Sequence, residues 1–340
     1  VSLLLRHAGV VVALLSACSA CTPPQKPPKE PALVPPVPTA PALAPVPPPA
    51  LLPKPFAEIA LATHRSFLEA LRAHDDAGLS GCYAPEARVW LGAGAEFGTA
   101  DIEGLGKAGW TAFPDAKLQW STFLESGMSA ALEVAWTGSQ TGRLADLPPS
   151  KKVIGAHALI LERFAPSGLL VTQHAYFDAE SIRTDLAIQG TQHPFDGLPT
   201  TQTSVIDQAA SGEDDPGMRG LAASFARGAF DAARTLGNEA SVWSDATKGR
   251  SVSGKGAIGA WVSFLEHSFK GGGAQLINSW STGDWLVLEW NSSPSDGAAP
   301  NASRAAELVR FEGGRIREVR TYRSSRWGRS ASGKPRAKNQ

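Results

Sequence analysis

His174, Tyr176 and Asp178 carry groups able to move protons, and they stand at alternate positions in the chain. The segment Leu169–Phe177 reads as a strand, so alternation places the three on one face. If that face lines an apolar pocket, desolvation raises the Asp178 carboxyl toward the range of a general base. His174 and Tyr176 could then donate hydrogen bonds to a developing oxyanion. Asp178 could equally cap a short helix beginning at Ala179, accepting from the Ser181 or Ile182 N–H. Tyr176 is then a packed aromatic and His174 a polar group at the strand edge. Other constellations are poor. The histidines at 64, 74, 157, 174, 193 and 267 show no paired metal-ligand spacing. Lys270-Gly-Gly-Gly273 lacks the spacing of a phosphate-cradling loop, and no serine sits in a nucleophile elbow. Cys82 reads as a small buried apolar residue.

The elements that must position these residues begin near Phe56. Phe56, Ile59, Ala60, Thr63, Phe67, Ala70, Leu71 and His74 recur at three and four, which is one face of a helix. Asp75-Asp76 opens a second helix through Leu79 and Cys82, ended by Pro85, and Arg88–Leu91 reads as a strand. A third helix, capped by Thr99 or Asp101, carries Ile102, Leu105 and Trp110. Strands follow at Lys117–Leu124, Ala130–Trp136, Val153–Phe164 and Leu169–Phe177. Helices first and hairpin-connected strands afterwards predict an α+β fold with an antiparallel sheet.

A 340-residue chain with 43% hydrophobic residues can bury two cores. Lysine plus arginine equals aspartate plus glutamate at 32 each, which argues against a nucleic-acid partner. Three cysteines exclude a disulfide scaffold. Fifteen of the 26 prolines fall between Thr22 and Pro55, a stretch that favours extended polyproline II and builds no core. Before it, residues 1–17 read as a cleavable signal with an apolar stretch too short to span a bilayer. Leu15-Ser16-Ala17-Cys18 resembles the lipobox of bacterial lipoproteins. That resemblance implies that Cys18 is acylated, anchors the chain to a lipid bilayer, and places the body in the cell envelope, on a periplasmic or extracellular face. Arg320–Gln340 holds seven basic residues and no acid, and residues 328–340 read as a basic tail.

The chain also echoes itself. Ala-Arg-Val-Trp90 returns as Ala-Ser-Val-Trp243, and Trp110 is answered by Trp261. Trp120-Ser-Thr returns as Trp280-Ser-Thr, and Trp136-Thr-Gly-Ser as Trp290-Asn-Ser-Ser. Arg163-Phe164 returns as Arg310-Phe311, and Tyr176 as Tyr322. Matches that keep their order predict two copies of one fold. The divisions are residues 18–55 (lipidated Cys and tether), 56–190 (first domain), 191–214 (linker) and 215–327 (second, degenerate domain).

The first copy resembles a SnoaL-like domain of the nuclear transport factor 2-like superfamily. Tyr83-Ala-Pro-Glu-Ala, Phe113-Pro-Asp115, Trp136-Thr-Gly-Ser-Gln-Thr-Gly142, Arg163-Phe164 and Tyr176-Phe-Asp178 carry the resemblance. It implies two cone-shaped domains, each a curved antiparallel sheet wrapped on about three N-terminal helices, with an apolar pocket inside. It also implies that Asp178 stands where SnoaL-type cyclases keep a general acid/base that works without metal or cofactor. Gln140 stands where many members carry a histidine; it can bind a ligand but cannot transfer protons at neutral pH. Trp136, Gln140, His174 and Tyr176 are the ligand-binding candidates. In the second copy Ser324 answers Asp178, Arg320–Arg326 offers no carboxylate, and Asp284 and Glu289 read as turn and solvent-facing groups. The functional expectation is a membrane-anchored lipoprotein that binds an apolar small molecule or acts as an envelope scaffold. Its two copies would form an intramolecular pseudo-dimer. The alternative is a cyclase- or isomerase-type enzyme using Asp178 on a carbonyl substrate.

Overall fold

The computed structural model describes residues 54–92, 96–145, 147–187, 216–269, 274–292 and 303–324. The signal, Cys18, nearly all of the tether, the linker and the basic tail lie outside the described residues.

The first part of the chain runs α1 (Lys54–Ala73), α2 (Asp76–Ser80), β1 (Tyr83–Leu91), β2 (Phe97–Gly98), α3 (Thr99–Ala112), β3 (Lys117–Ser126), β4 (Ser129–Ser139), β5 (Val153–Phe164), β6 (Leu170–Tyr176) and α4 (Ala179–Ala187). The second runs α5 (Pro216–Ala226), α6 (Asp231–Arg234), β7 (Val242–Asp245), β8 (Arg250–Ser253), α7 (Ala257–Phe269), β9 (Ala274–Thr282), β10 (Trp285–Ser292), β11 (Ser303–Glu312) and β12 (Arg315–Arg323). The fold is α+β with two separate six-stranded sheets, ordered β2-β1-β6-β5-β4-β3 and β8-β7-β12-β11-β10-β9. The strand order is the same in both.

Neither sheet is wholly antiparallel. β1 runs parallel to β6 and β7 parallel to β12, because the first strand of each half pairs with its last, across intervening helix and hairpins. The second helix is also shorter than its sequence signal. It ends at Ser80, and Cys82 lies between it and β1. Pro85 stands inside β1, within the irregular stretch between Tyr83 and Arg88 where the ladder with β6 is interrupted. A proline that needs no ladder N–H is tolerated there, so it did not mark a helix end.

One face of each sheet is covered by helices. In the first half Ala130, Leu132, Val134 and Trp136 of β4 join Ala156, Ala158 and Ile160 of β5 and Phe67 and Leu71 of α1 in one core. In the second half Leu286, Leu288 and Trp290 of β10 join Phe225, Trp261 and Leu265 in another. The opposite faces meet each other. Trp90, Leu124, Ala131, Leu159, Leu161 and Tyr176 of the first sheet cluster with Val287, Ala306, Leu308 and Tyr322 of the second.

Register corrects part of the internal repeat. Trp90 pairs with His174 and faces the other sheet, whereas Trp243 pairs with Val319 and lies in its own core. Those tryptophans differ by one position, and one position reverses the face of a strand. Trp136 lies three residues past Glu133 but Trp290 only one past Glu289, although Glu133 and Glu289 hold equivalent places. Each stands across from the residue that pairs with its closing tyrosine: Glu133–Leu159–Tyr176 and Glu289–Ala306–Tyr322.

The loop after β4 packs on the end of α3, where the Thr141 and Gly142 N–H groups both donate to the Ala112 carbonyl, at 3.0 and 3.1 Å. A Cβ at Gly142 would sit 1.8 Å from the Thr111 carbonyl oxygen, a backbone atom that cannot swing aside. Gly142→Ala is therefore expected to cost about 3 kcal/mol and lower the melting temperature by roughly 6–12 °C, read by calorimetry.

Candidate functional site

Of the three residues proposed from alternation, Asp178 has different partners from His174 and Tyr176. Asp178 is 6% exposed and precedes α4. Its Oδ1 accepts from the Ser181 N–H at 3.1 Å and its Oδ2 from the Ser181 hydroxyl. Lys248, from the β7–β8 turn of the second half, closes an ion pair on the same carboxylate and donates to Ser181 Oγ at 3.2 Å. The carboxylate thus meets a helix N-terminus and a partner cation from the other half.

His174 and Tyr176 face the second sheet. His174 Nδ1 lies 2.6 Å from Glu289 Oε1, and the Tyr176 hydroxyl donates to the same oxygen. Glu289 is 5% exposed, which corrects its reading as a solvent-facing group. Burial pushes its carboxyl up, but the His174 hydrogen bond and charge, the Tyr176 hydroxyl and Arg304 outweigh that and hold it below its usual value. The arrangement occurs twice. Tyr322 donates to Glu133 Oε1 at 2.6 Å, and Arg320, two residues before Tyr322 as His174 is before Tyr176, pairs with Glu133 Oε2. Burial drives both phenols well above their ordinary pKa, with the neighbouring glutamate adding to it, so each remains a donor. Arg304 adds a further cross-contact, bonding Glu96 at 2.8 Å and lying 5.0 Å over the Trp90 ring.

Gln140 is completely buried, and both ends of its amide are used within its own loop. Nε2 donates to the Pro148 carbonyl at 3.1 Å, and Oε1 accepts from the Ser150 N–H at 3.1 Å. Trp136 is buried edge-on to Phe113, and its indole N–H has no hydrogen-bond partner among the described residues. Of the proposed ligand contacts, Trp136 alone faces the helix-covered interior with a free polar atom.

That interior holds a polar network with no local sequence signature. His64 of α1 is completely buried, and its Nδ1 lies 3.1 Å from Glu162 Oε2 on β5. Gln173 of β6 donates to Glu162 Oε1 at 2.9 Å, and the Tyr83 hydroxyl of β1 donates to Gln173 Oε1 at 2.7 Å. A carboxylate accepting from Nδ1–H fixes the imidazole tautomer, as the aspartate does for the histidine of a hydrolase triad. Nε2 is then left with its lone pair, and it has no partner among the described residues. Apolar walls surround it: the His64 ring lies 4.9 Å from Phe123 and 6.1 Å from Phe67. Chemically, this is an oriented ring nitrogen among apolar side chains, able to accept a hydrogen bond.

The second interior is not without a carboxylate, as its closing strand suggested. Glu307 of β11 is completely buried and accepts from Trp261 at 2.7 Å, Trp290 at 3.0 Å and Thr321 at 3.0 Å. Burial pushes its carboxyl up to about 7 although these three donors pull it down. Among the described residues no group of three or more His, Cys, Asp or Glu side chains could hold a metal ion.

Glu162 and Glu307 were legible in one respect. Each stands at an inward position of a strand whose neighbours at i±2 are apolar: Ile160 and Phe164, Ala305 and Val309. A carboxylate at such a position needs buried partners.

No protein-family model matches this chain, and no curated protein does. Solved structures do. AclR, described as a hydroxylase from Streptomyces galilaeus, is 22% identical, over 35% of this chain and 78% of its own, with a TM-score of 0.31. A protein from Jannaschia sp. CCS1 described as a SnoaL-like polyketide cyclase is 15% identical, over 37% and 90%, with a TM-score of 0.34. A Mycobacterium tuberculosis protein in complex with estradiol-17beta-hemisuccinate is 13% identical, over 36% and 95%, with a TM-score of 0.30. Among the solved structures it matches are proteins described as SnoaL-like and as nuclear transport factor 2-like, and the likeness is one of fold.

Proposed function

We propose that this protein is a lipid-anchored binding protein of a bacterial envelope, whose first domain holds an apolar small molecule. Cys18, in the Leu15-Ser16-Ala17-Cys18 lipobox, is the acylated anchor, and the proline-rich stretch to Pro55 carries the body away from the bilayer. The second domain is the structural partner in a pseudo-dimer, and its Lys248, Glu289 and Arg304 occupy Asp178, Tyr176 and His174. One observation carries the binding reading: His64 Nε2, buried, oriented by Glu162 and unpaired. A buried acceptor left without a donor costs about 1–3 kcal/mol, and a ligand donor at that nitrogen recovers it.

Native mass spectrometry of the protein purified from its source membrane tests this. A co-purifying small molecule should be lost in His64→Phe and kept in Asp178→Asn. The opposite pattern would return the chemistry to Asp178 and a carbonyl substrate. In the same preparation Cys18→Ala should move the protein from the membrane to the soluble fraction.

A further inference from the structure

The stretch Leu147–Val153, which leads into β5, is exposed yet firmly built. Its backbone donors are all accounted for before it meets any partner. The Leu147 N–H donates to the Leu144 carbonyl at 2.8 Å, and Leu144 is anchored in the first core. Pro148 and Pro149 have no N–H to satisfy. The Ser150 N–H goes to Gln140 Oε1 at 3.1 Å and the Lys151 N–H to the Gln140 carbonyl at 2.9 Å. The Lys152 N–H goes to Ser150 Oγ at 3.3 Å. Lys151 takes a left-handed φ of 58°. A residue with a Cβ stays in that region only where its surroundings impose it, and such positions gather at functional surfaces.

This frame presents apolar groups and cations together. Val153 is 66% exposed, the highest value among the large hydrophobic side chains described. Pro148, Pro149 and Lys151 are exposed beside it. Arg143 is exposed as well, with its Nε on the Ala145 carbonyl at 2.9 Å, and Lys152 donates to the Asp185 carbonyl. Lys117 pairs with Thr137 and Thr137 with Gly155, so exposed Lys117 shares a sheet face with Val153, two residues from Gly155. The described carboxylates beside these four cations are Asp115 and Asp185, and Asp115 Oδ1 is held by the Ser139 N–H at 2.7 Å. Among the described residues Lys117, Arg143 and Lys151 have no ion-pair partner.

We propose that this tip docks on an anionic phospholipid surface. Val153 and Pro149 enter the headgroup layer, and Lys117, Arg143 and Lys151 meet the lipid phosphates. Charge alone would suit an acidic protein equally. The exposed valine and the internally satisfied N–H groups favour the bilayer, because a segment leaves water cheaply only when its backbone polar groups already have partners. The contact adds to the acyl anchor at Cys18 and does not depend on it.

The test is co-sedimentation with vesicles of phosphatidylcholine alone or with a third of phosphatidylglycerol. The full chain carries Cys18→Ala, so that an acyl group does not mask the weaker contact. The chain should prefer the anionic vesicles. Lys151→Gln should reduce that preference about fivefold, the value of one cation at such a surface. Lys255→Gln, the same change at an exposed lysine of the second half, should leave it within about twofold. Val153→Ser should weaken binding to the anionic vesicles roughly fivefold. Val153→Trp should tighten it, with the added emission quenched by brominated acyl chains, a gain that misfolding does not produce. Equal losses in Lys151→Gln and Lys255→Gln would mean diffuse charge attraction and overturn the proposal. A loss in Lys151→Gln with none in Val153→Ser would point to an acidic macromolecule and overturn the bilayer. No preference for anionic vesicles would overturn it outright, and the acyl anchor would stand.

Discussion

Glu133→Ala is expected to lower the stability of the chain by about 3–4 kcal/mol and to replace one calorimetric transition by two. The side chain is 3% exposed and accepts from Tyr322 at 2.6 Å and from Arg320. Removing it leaves a largely buried guanidinium and a buried phenol without their cross-domain acceptor, and breaking a buried pair from one side costs about 3–5 kcal/mol. Arg320 keeps Glu318, with Nε at 2.7 Å, which moderates the loss. The splitting follows from where Glu133 lies. It holds one half to the other and contributes little inside either. Tyr322→Phe removes a single hydrogen bond and should cost only about 1 kcal/mol. A single sharp transition in Glu133→Ala, shifted by less than 1 kcal/mol, would show that the apolar cluster alone joins the halves.

Stability should fall by several kcal/mol between pH 5 and pH 8, and Glu307 and Glu125 carry most of that fall. The folded Glu307 carboxyl titrates near 7 against an ordinary 4.5. Between those values the unfolded chain has released the proton and the folded one keeps it. The contribution is thus fully present below about 4.5, is lost as pH rises through 7, and amounts to about 3 kcal/mol. Glu125, also near 7, acts in the same direction in the first half. Urea unfolding at the two pH values checks this. Glu307→Gln cannot ionise and should lose roughly half of the slope, and the Glu125→Gln/Glu307→Gln double variant nearly all of it. An amide at 307 accepts through one oxygen only, so an indole donor is left unpaired and the variant should sit about 1–2 kcal/mol below the native chain at pH 5. A slope unchanged in the double variant would assign the pH response to other groups.

The elements were largely legible because their signals are local. The three-and-four recurrence from Ile59 to Leu71 marks α1, and the alternating text of Val153–Phe164 marks β5 at its observed bounds. Pro85 hid the first part of β1, because a proline at a bulge and a proline after a helix look the same in one dimension. The repeat was legible at Arg163-Phe164 and Tyr176, whose counterparts hold equivalent registers. It was misleading at Trp90, where a four-residue text sharing three residues sits one step out of phase. The site was barely legible. His174 and Tyr176 do share a face, but nothing local distinguishes a face that lines an interior from one that meets another sheet. The interior network draws on positions 64, 83, 162 and 173, from four elements, and only the third dimension brings them together.

The closing strand of each sheet also sets a schedule. β1 finds its parallel neighbour only when β6 has been made, and the face bearing Trp90, Leu159, Leu161 and Tyr176 is complete from that moment. Its cover depends on Tyr322, which lies 146 residues further along the chain. At about 5–20 residues per second the ribosome needs roughly 7–30 s to deliver it. For that interval the newborn first half carries a finished apolar surface with nothing yet to cover it.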